Sequence, residues 1–503
     1  MAAPLYVTQS GRLWHAGLIL LVTVGLPARG KTHVSRSLER YLRWLGVKTR
    51  CYSLGDYRRK VLGAAEKIPA DYFEPGEKSE ETKALRKRIK DGIENQVWDF
   101  FSSQGGQVVI YDANNCDKAS RKDLLEKFEA RGVHVIFLES VCDRREIIEN
   151  NIRSVKLSSP DYKGWDPEAA VADYFKRIQV QANKYEEVTD DEGPFIKIIN
   201  VGERIVIHRI EGYLQTRCCF FLMNIHNQPR TIYFARSGQS LIEHSYKADS
   251  DLSPAGWEYA ERLKAAVMSR RKQVIEERRE AGEEDLSETK LRIWTSSRRR
   301  AHHTAWPFVQ SGYKVAQKPQ MGEINPGVWD GLSTEEAKAL YPDEWERFLS
   351  DPYAHRAPRA ESYHDLSVRL EPIIFELERC QDDLLIIGHA SVIRCLLAYL
   401  VGLPPNEVPA VEIARGDLVE VVPASYGVVS RAFHFWSGEG RGDESGANLY
   451  ENFAEATVGK GVVDMTHVLP TGTTDYEEAA AAEERGEKEK AKGLTRRSES
   501  KEV

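Results

Sequence analysis

The sequence predicts an α/β protein built from two successive units, each a mostly parallel sheet with crossover helices. Three observations carry this. In the first half, apolar runs of strand length (Leu18–Val24, Val108–Tyr111 and Val133–Leu138) alternate with helical stretches at 81–101 and 121–131. A second alternating series follows, with strands at Thr231–Ala235, Leu291–Trp294 and Asp383–Gly388, and ends near Trp436. The run 18–24 leads directly into Gly25-Leu26-Pro27-Ala28-Arg29-Gly30-Lys31-Thr32, a phosphate-binding G-x-x-x-x-G-K-[ST] spacing.

The elements after that loop follow from local chemistry. Glycines let backbone N–H groups turn inward around an anion. Lys31 supplies a point charge for the β and γ phosphates, and the Thr32 hydroxyl can ligate Mg²⁺. A helix predicted to begin near Lys31 aims its positive end at the same anion, and Val34, Leu38, Tyr41, Leu42 and Leu45 form its apolar face. Asp112 ends the strand 108–111, beside the loop, where a carboxylate can hold Mg²⁺. The reading of Asp112 as an ordinary turn-initiating aspartate stays open. Arg58, Arg59, Arg86, Lys156 and Arg177 recur where an anionic second substrate could be clamped. Taken singly, each also fits a solvated surface charge.

The bulk properties narrow the class. A chain of 503 residues has room for two ordinary domains plus extra segments. A turn at 224–230 marks the division. We read an extension at 1–14, a first domain at 15–224, a second at 229–437 and a disordered tail at 438–503. With 41% hydrophobic and 29% charged residues the composition is globular, and a formal charge of −7 gives no reason to expect nucleic acid. No run reaches membrane-spanning length and no secretory signal is evident, so a cytoplasmic protein with reduced thiols is expected. Seven cysteines without C-x-x-C spacing argue against a disulfide framework or a zinc site, and Cys218 and Cys219 read as buried strand residues. The Arg- and Glu-dense stretch 269–290 reads as a solvated helix and loop. In the tail, Thr495-Arg496-Arg497-Ser498 is a candidate phosphorylation site.

The first half resembles the kinase half of the 6-phosphofructo-2-kinase/fructose-2,6-bisphosphatase family. The resemblance rests on Gly25–Thr32, Tyr57-Arg58-Arg59, Leu85-Arg86-Lys87, Asp112-Ala113-Asn114-Asn115, the run from Val155 to Tyr162, and Lys176-Arg177-Ile178. It implies a P-loop kinase that transfers the γ-phosphoryl of MgATP to the 2-hydroxyl of fructose 6-phosphate. By resemblance, Gly25, Gly30, Lys31 and Thr32 hold ATP, and Thr32 and Asp112 serve Mg²⁺. Lys31, Asp112 and Lys156 are the catalytic set, while Arg59, Arg86, Asn114 and Arg177 hold the sugar phosphate. The family usually has Thr where this chain has Asn114, which implies altered affinity rather than loss.

The second half resembles the family's histidine-phosphatase (phosphoglycerate-mutase-like) domain. The match includes Trp294-Thr295-Ser296 with Arg300, Gly322–Val328, Glu361-Ser362-Tyr363 and Gly388–Tyr399. One element departs. The family motif Arg-His-Gly-Glu here reads Arg236-Ser237-Gly238-Gln239. An imidazole nitrogen is a competent phosphoryl acceptor near neutral pH, and an unactivated serine hydroxyl is far weaker. Glu243 stands where an Asn is usual and Ala390 where a Gln is usual. Glu243 is expected to bring like charge toward an anionic substrate. Arg236, Ser237, Arg300, Glu323, His389 and Arg394 then form a degenerate phosphatase site.

The expected function is a kinase making fructose 2,6-bisphosphate, with a folded but catalytically poor second domain. That domain could serve as a scaffold, as a pocket for a phosphorylated sugar, or as a weak hydrolase through His389 or an activated water. A fully bifunctional enzyme and a non-catalytic nucleotide-binding regulator are the competing readings. The expected partners are ATP and fructose 6-phosphate, with no nucleic acid and no membrane, and a homodimer is left open.

Overall fold

The computed structural model describes residues 17–62, 69–72, 76–158, 167–226, 230–243, 245–280, 282, 288–411, 413–424 and 427–438. The expected extension at 1–14 and the tail serine lie outside them. So do the side chains of Lys156 and Arg177, whose backbones are described.

Among the described residues the first half forms one six-stranded sheet in the order β2-β3-β1-β4-β5-β6. The strands are β1 (Leu18–Val24), β2 (Thr49–Ser53), β3 (Val108–Asp112), β4 (Val133–Val141), β5 (Phe195–Ile199) and β6 (Arg204–His208). All run parallel except β6, which is antiparallel to β5. Strand β1 lies between β3 and β4 because its residues are apolar on both faces, as a central parallel strand requires. The connecting helices are α1 (Lys31–Trp44), α2 (Leu54–Leu62), α3 (Glu80–Ser102), α4 (Lys118–Glu129), α5 (Arg145–Ser158) and α6 (Pro167–Ala182), followed by α7 (Tyr213–Leu222). Ser79 caps α3 by accepting from the Thr82 N–H, and Asp117 caps α4 by accepting from the Ser120 N–H at 2.7 Å.

The second sheet runs β12-β11-β7-β10-β8-β9. Its strands are β7 (Ile232–Arg236), β8 (Leu291–Thr295), β9 (Val315–Gln317), β10 (Asp383–Gly388), β11 (Asp417–Ala424) and β12 (Gly427–His434). Strands β7 to β10 are parallel, and β11 and β12 close one side as an antiparallel pair. The helices are α8 (Pro254–Glu280), α9 (Arg299–Thr304), α10 (Trp306–Gln310), α11 (Thr334–Leu340), α12 (Pro342–Ser350), α13 (Tyr363–Arg379) and α14 (Ala390–Val401).

Two expectations are corrected. Cys218 and Cys219 are buried, but on helix α7 rather than on a strand. Leu214, Cys218, Phe221 and Leu222 recur at helical spacing, and a broad apolar face buries two neighbours at once. The stretch 269–290 is not wholly solvated. Arg270 and Arg271 of α8 are buried, Arg270 forks onto Glu420 at 2.8 and 3.0 Å, and Arg271 meets Asp383 at 3.5 Å. Long charged helices can bury one face when the opposing strands supply carboxylates.

The halves share one core. Tyr41 of α1 stacks on Phe221 and lies in the same apolar cluster as Tyr399 and Leu397 of α14. Buried polar groups cross the same boundary. The Tyr41 hydroxyl donates to Glu371 of α13 at 2.6 Å, and Arg217 pairs with the same carboxylate at 2.6 Å. Arg40 meets Glu378 at 2.9 Å, and Trp44 Nε1 donates to the Cys395 carbonyl at 3.2 Å. Burial alone would raise the Glu378 carboxyl, but Arg40 and Arg230 hold it below its ordinary value. Removing one donor from a buried carboxylate costs about 1–3 kcal/mol. Tyr41→Phe should therefore lower the thermal unfolding midpoint by several degrees, and an unchanged midpoint in calorimetry would remove this contact from the stabilising set.

Candidate active site

The first site lies at the carboxyl end of β1, where chain connections leave to either side of the sheet and open a crevice. Gly25 leaves β1 at φ +136°, and a Cβ there would sit 2.5 Å from the Ser140 carbonyl oxygen of β4. Only glycine fits that approach. Gly30 adopts φ +83° and is the N-cap of α1, so the loop ends where the helix N–H groups begin.

The loop is bolted to β3. Thr23 Oγ1 donates to the Ala113 carbonyl at 2.6 Å, Asn115 Nδ2 donates to the Thr23 carbonyl at 2.8 Å, and the Gly25 N–H donates to the Asn114 carbonyl at 2.9 Å. These bonds carry Asp112 to the loop. The Thr32 hydroxyl donates to Asp112 Oδ2 at 2.9 Å, and Lys31 Nζ donates to the Leu26 carbonyl at 2.7 Å. Lys31 and Asp112 are both buried. Burial pushes the Lys31 ammonium down to about 8 although Asp112 opposes the shift, and burial raises the Asp112 carboxyl against Lys31 and Thr32. Both groups move toward neutrality because each is short of counter-charge. A phosphate chain beside Lys31 and a divalent cation beside Thr32 and Asp112 would supply it, so the donor set fits a metal-bound nucleotide.

A cavity of about 820 Å³ opens from this loop. It brings together Gly30, Lys31, Thr32, Arg59, Arg86, Asp112 and Asn114, all picked out from the sequence. Gly25 stays beneath, at the base of the loop. Arg59 pairs with Asp56, while Arg86 lies over the Tyr72 ring, 4.8 Å from its centroid, and donates to the Tyr72 carbonyl. The cavity also reaches Arg36, Lys78, Lys87, Lys90 and Gln181, which sequence reasoning missed. Arg36 was findable, because it lies one helical turn beyond Thr32 on the same face of α1. Gln181 had no local signal.

A second site lies between the parallel strands β7 and β10, paired through Arg236 and Gly388. Ser237 and His389 follow directly, and the Ser237 N–H donates to the Gly388 carbonyl at 2.9 Å. His389 is the N-cap of α14. Its Nε2 is 2.9 Å from Ser296 Oγ and its Nδ1 is 3.3 Å from Arg300, which pairs with Glu323. Arg236 donates to the Ile413 carbonyl, and Arg394 donates to the Val411 carbonyl and the Tyr363 hydroxyl.

The structure corrects the reading of Glu243. Its carboxylate pairs with the buried Arg415 at 2.8 Å, and Arg415 Nε donates to the Ser237 carbonyl at 3.0 Å. The negative charge is countered inside the protein, because an arginine 172 residues away in sequence folds onto it. No sequence spacing could have announced that partner.

A phosphate loop on a parallel sheet, joined to a second α/β unit with histidine and arginines at its strand ends, defines a phosphotransferase coupled to a phosphatase-type fold. The 6-phosphofructo-2-kinase family model matches residues 7–229, and that of the histidine phosphatase superfamily (branch 1) matches 232–434. A Saccharomyces cerevisiae protein provisionally named 6-phosphofructo-2-kinase/fructose-2,6-bisphosphatase is 39% identical over 83% of this chain and 83% of its own length. The Gallus gallus 6-phosphofructo-2-kinase/fructose-2,6-bisphosphatase is 37% identical over 81% of this chain and 83% of its own. The Saccharomyces cerevisiae fructose-2,6-bisphosphatase is 35% identical over 81% and 87%. The chain belongs to the 6-phosphofructo-2-kinase/fructose-2,6-bisphosphatase family.

The lowered Lys31 value sets a pH dependence. The free ammonium loses its proton as pH rises through about 8, and an anion beside it restores that proton. Titration calorimetry at pH 8, in buffers of different ionisation enthalpy, should show net proton uptake when a nucleoside triphosphate binds. The uptake should be much smaller at pH 6, and equal uptake at both values would contradict the assignment.

Proposed function

We propose that this chain makes fructose 2,6-bisphosphate from MgATP and fructose 6-phosphate, and that its second half does not efficiently reverse the reaction. The observation that carries the first part is the buried pair Lys31 and Asp112, with the half-buried Thr32 between them, at a cavity that Arg59 and Arg86 also line.

The residues divide the work by charge. Lys31 and the N–H groups at the start of α1 hold the phosphate chain of ATP. Thr32 and Asp112 would hold Mg²⁺, which when bound neutralises phosphoryl charge. Arg59 and Arg86 grip the 6-phosphate, each through a planar fork suited to phosphate oxygens. Arg177 and Lys156 join them by family resemblance. The 2-hydroxyl oxygen forms a bond to the γ-phosphorus as the bond from that phosphorus to the β–γ bridging oxygen breaks; ADP leaves, and the hydroxyl proton passes to solvent. Alignment and charge neutralisation supply most of the rate, so no strong base is required.

The second part rests on Ser237. A serine there offers no lone pair comparable to an imidazole, and a phosphoserine would hydrolyse slowly. The Glu243–Arg415 pair supports the same reading, since it commits to a carboxylate an arginine bonded directly to Ser237. We also expect a homodimer. β6 is an open sheet edge, and Phe220 of α7 and Met223 just after it are 56% and 54% exposed.

A coupled assay with MgATP and fructose 6-phosphate should yield fructose 2,6-bisphosphate, and Lys31→Ala should abolish it. Absence of product at saturating substrates overturns the reading. Hydrolysis of fructose 2,6-bisphosphate should be at least about a hundredfold slower than in a relative carrying histidine at this position. Ser237→His alone should restore little of it, because Glu243 and Ala390 remain. Sedimentation velocity should show twice the monomer mass.

A further inference from the structure

We propose that Asp56 is a resident counter-anion of the cavity: it holds Arg36 and Arg59 while the site is empty, and it loosens their hold on the bisphosphate product so that the product can leave. This deepens the reading of the first half as a sugar-phosphate kinase and rests on it.

Among the described residues, the carboxylates that line the cavity are those of Asp56, Asp112 and Asp117. Two of them have evident work. Asp112 accepts from the Thr32 hydroxyl at 2.9 Å beside the phosphate loop, and Asp117 caps α4 through the Ser120 N–H at 2.7 Å. Asp56 does neither. It stands in the first turn of α2, and its carboxylate takes cations from two helices. Arg59 of α2 pairs with one oxygen, and Arg36 of α1 approaches the other at 3.6 Å. Arg36, Asp56 and Arg59 are all half-buried and all line the cavity.

The posture of Arg59 shows what this carboxylate does. A Cβ on Gly55 would lie 3.8 and 3.9 Å from the two terminal nitrogens of Arg59, so the guanidinium is folded back over the start of its own helix. There its fork is engaged by the protein. A phosphate dianion carries more charge than one carboxylate and offers the same paired oxygens, so it can draw the fork away. The exchange leaves the Asp56 charge facing the ligand. Asp56 also stands toward the metal-holding end of the cavity. After burial, it is the neighbour that raises the Asp112 carboxyl, and Arg36 is among those that lower it. The sugar substrate brings one phosphate into this field, whereas the product sugar carries two. Repulsion therefore falls harder on the product. A partly exposed ion pair adds little to folding, so the carboxylate acts on ligand grip far more than on stability.

The test is steady-state kinetics on Asp56→Asn, which keeps the side-chain shape and removes the charge. The expected result is a KM for fructose 6-phosphate lowered by about threefold. The inhibition constant for fructose 2,6-bisphosphate should fall by about tenfold, since the effect compounds over two phosphates. The kcat should fall as product release slows. Asp56→Glu, which keeps the charge, should stay within about twofold of wild type on all three constants. Added salt should shrink the gap between the asparagine variant and wild type, because screening weakens a charge effect and leaves a shape effect alone. Asp56→Ala should behave as the asparagine variant does and serves if that variant does not fold. A fructose 6-phosphate KM that is unchanged or raised, or an unchanged inhibition constant, overturns the proposal while the kinase reading stands. If wild-type enzyme makes no fructose 2,6-bisphosphate, it is the kinase reading that fails, and the proposal falls with it.

Discussion

The burial of two opposite charges at the end of one strand organises this molecule. Lys31 and Asp112 are held out of water at the carboxyl edge of the first sheet, and each is driven toward its neutral form by that burial. Such a pair is costly unless something completes it. The surrounding bonds keep the site from collapsing on itself: Thr23 fastens the loop to β3, and Gly25 lets it pass β4 where any Cβ would strike the Ser140 carbonyl. A preorganised cradle for charge is stiff before its ligand arrives, and stiffness is what positional catalysis requires.

The helix that begins in that cradle ends in the other half of the molecule. Its first residue faces the cavity, and its last turns carry Arg40, Tyr41 and Trp44 into a buried layer with α13 and α14. Helix α14 in turn begins at His389. The second half therefore has structural work independent of chemistry. Deleting an imidazole at Ser237 leaves a small polar group at a strand end and disturbs none of these contacts. That accounts physically for a phosphatase fold that persists beside the proposed loss of its nucleophile.

Much of the first site was legible in the sequence, because its parts obey short-range rules. A loop spacing identifies Gly25, Gly30, Lys31 and Thr32, and a strand end identifies Asp112. The six strands with strong apolar runs were legible as well. The other six, β2, β5, β6, β9, β11 and β12, were not read; β2, β6 and β9 are short and rich in polar residues. Cys218 and Cys219 were misassigned because two adjacent apolar residues carry no period of their own, and only the fuller run through Leu222 resolves it. Arg270 and Arg271 looked solvated because their carboxylate partners, Glu420 and Asp383, lie more than a hundred residues away.

The sequence by itself determined the chemistry of each half: which residue types stand at each strand end, and that one imidazole is missing. The tertiary structure alone decided who neutralises whom. It brought Arg415 to Glu243, Gln181 to Asn114 and Glu378 to Arg40. Charges and amides acquire their partners through space, and a chain encodes those meetings only through the packing of its whole core.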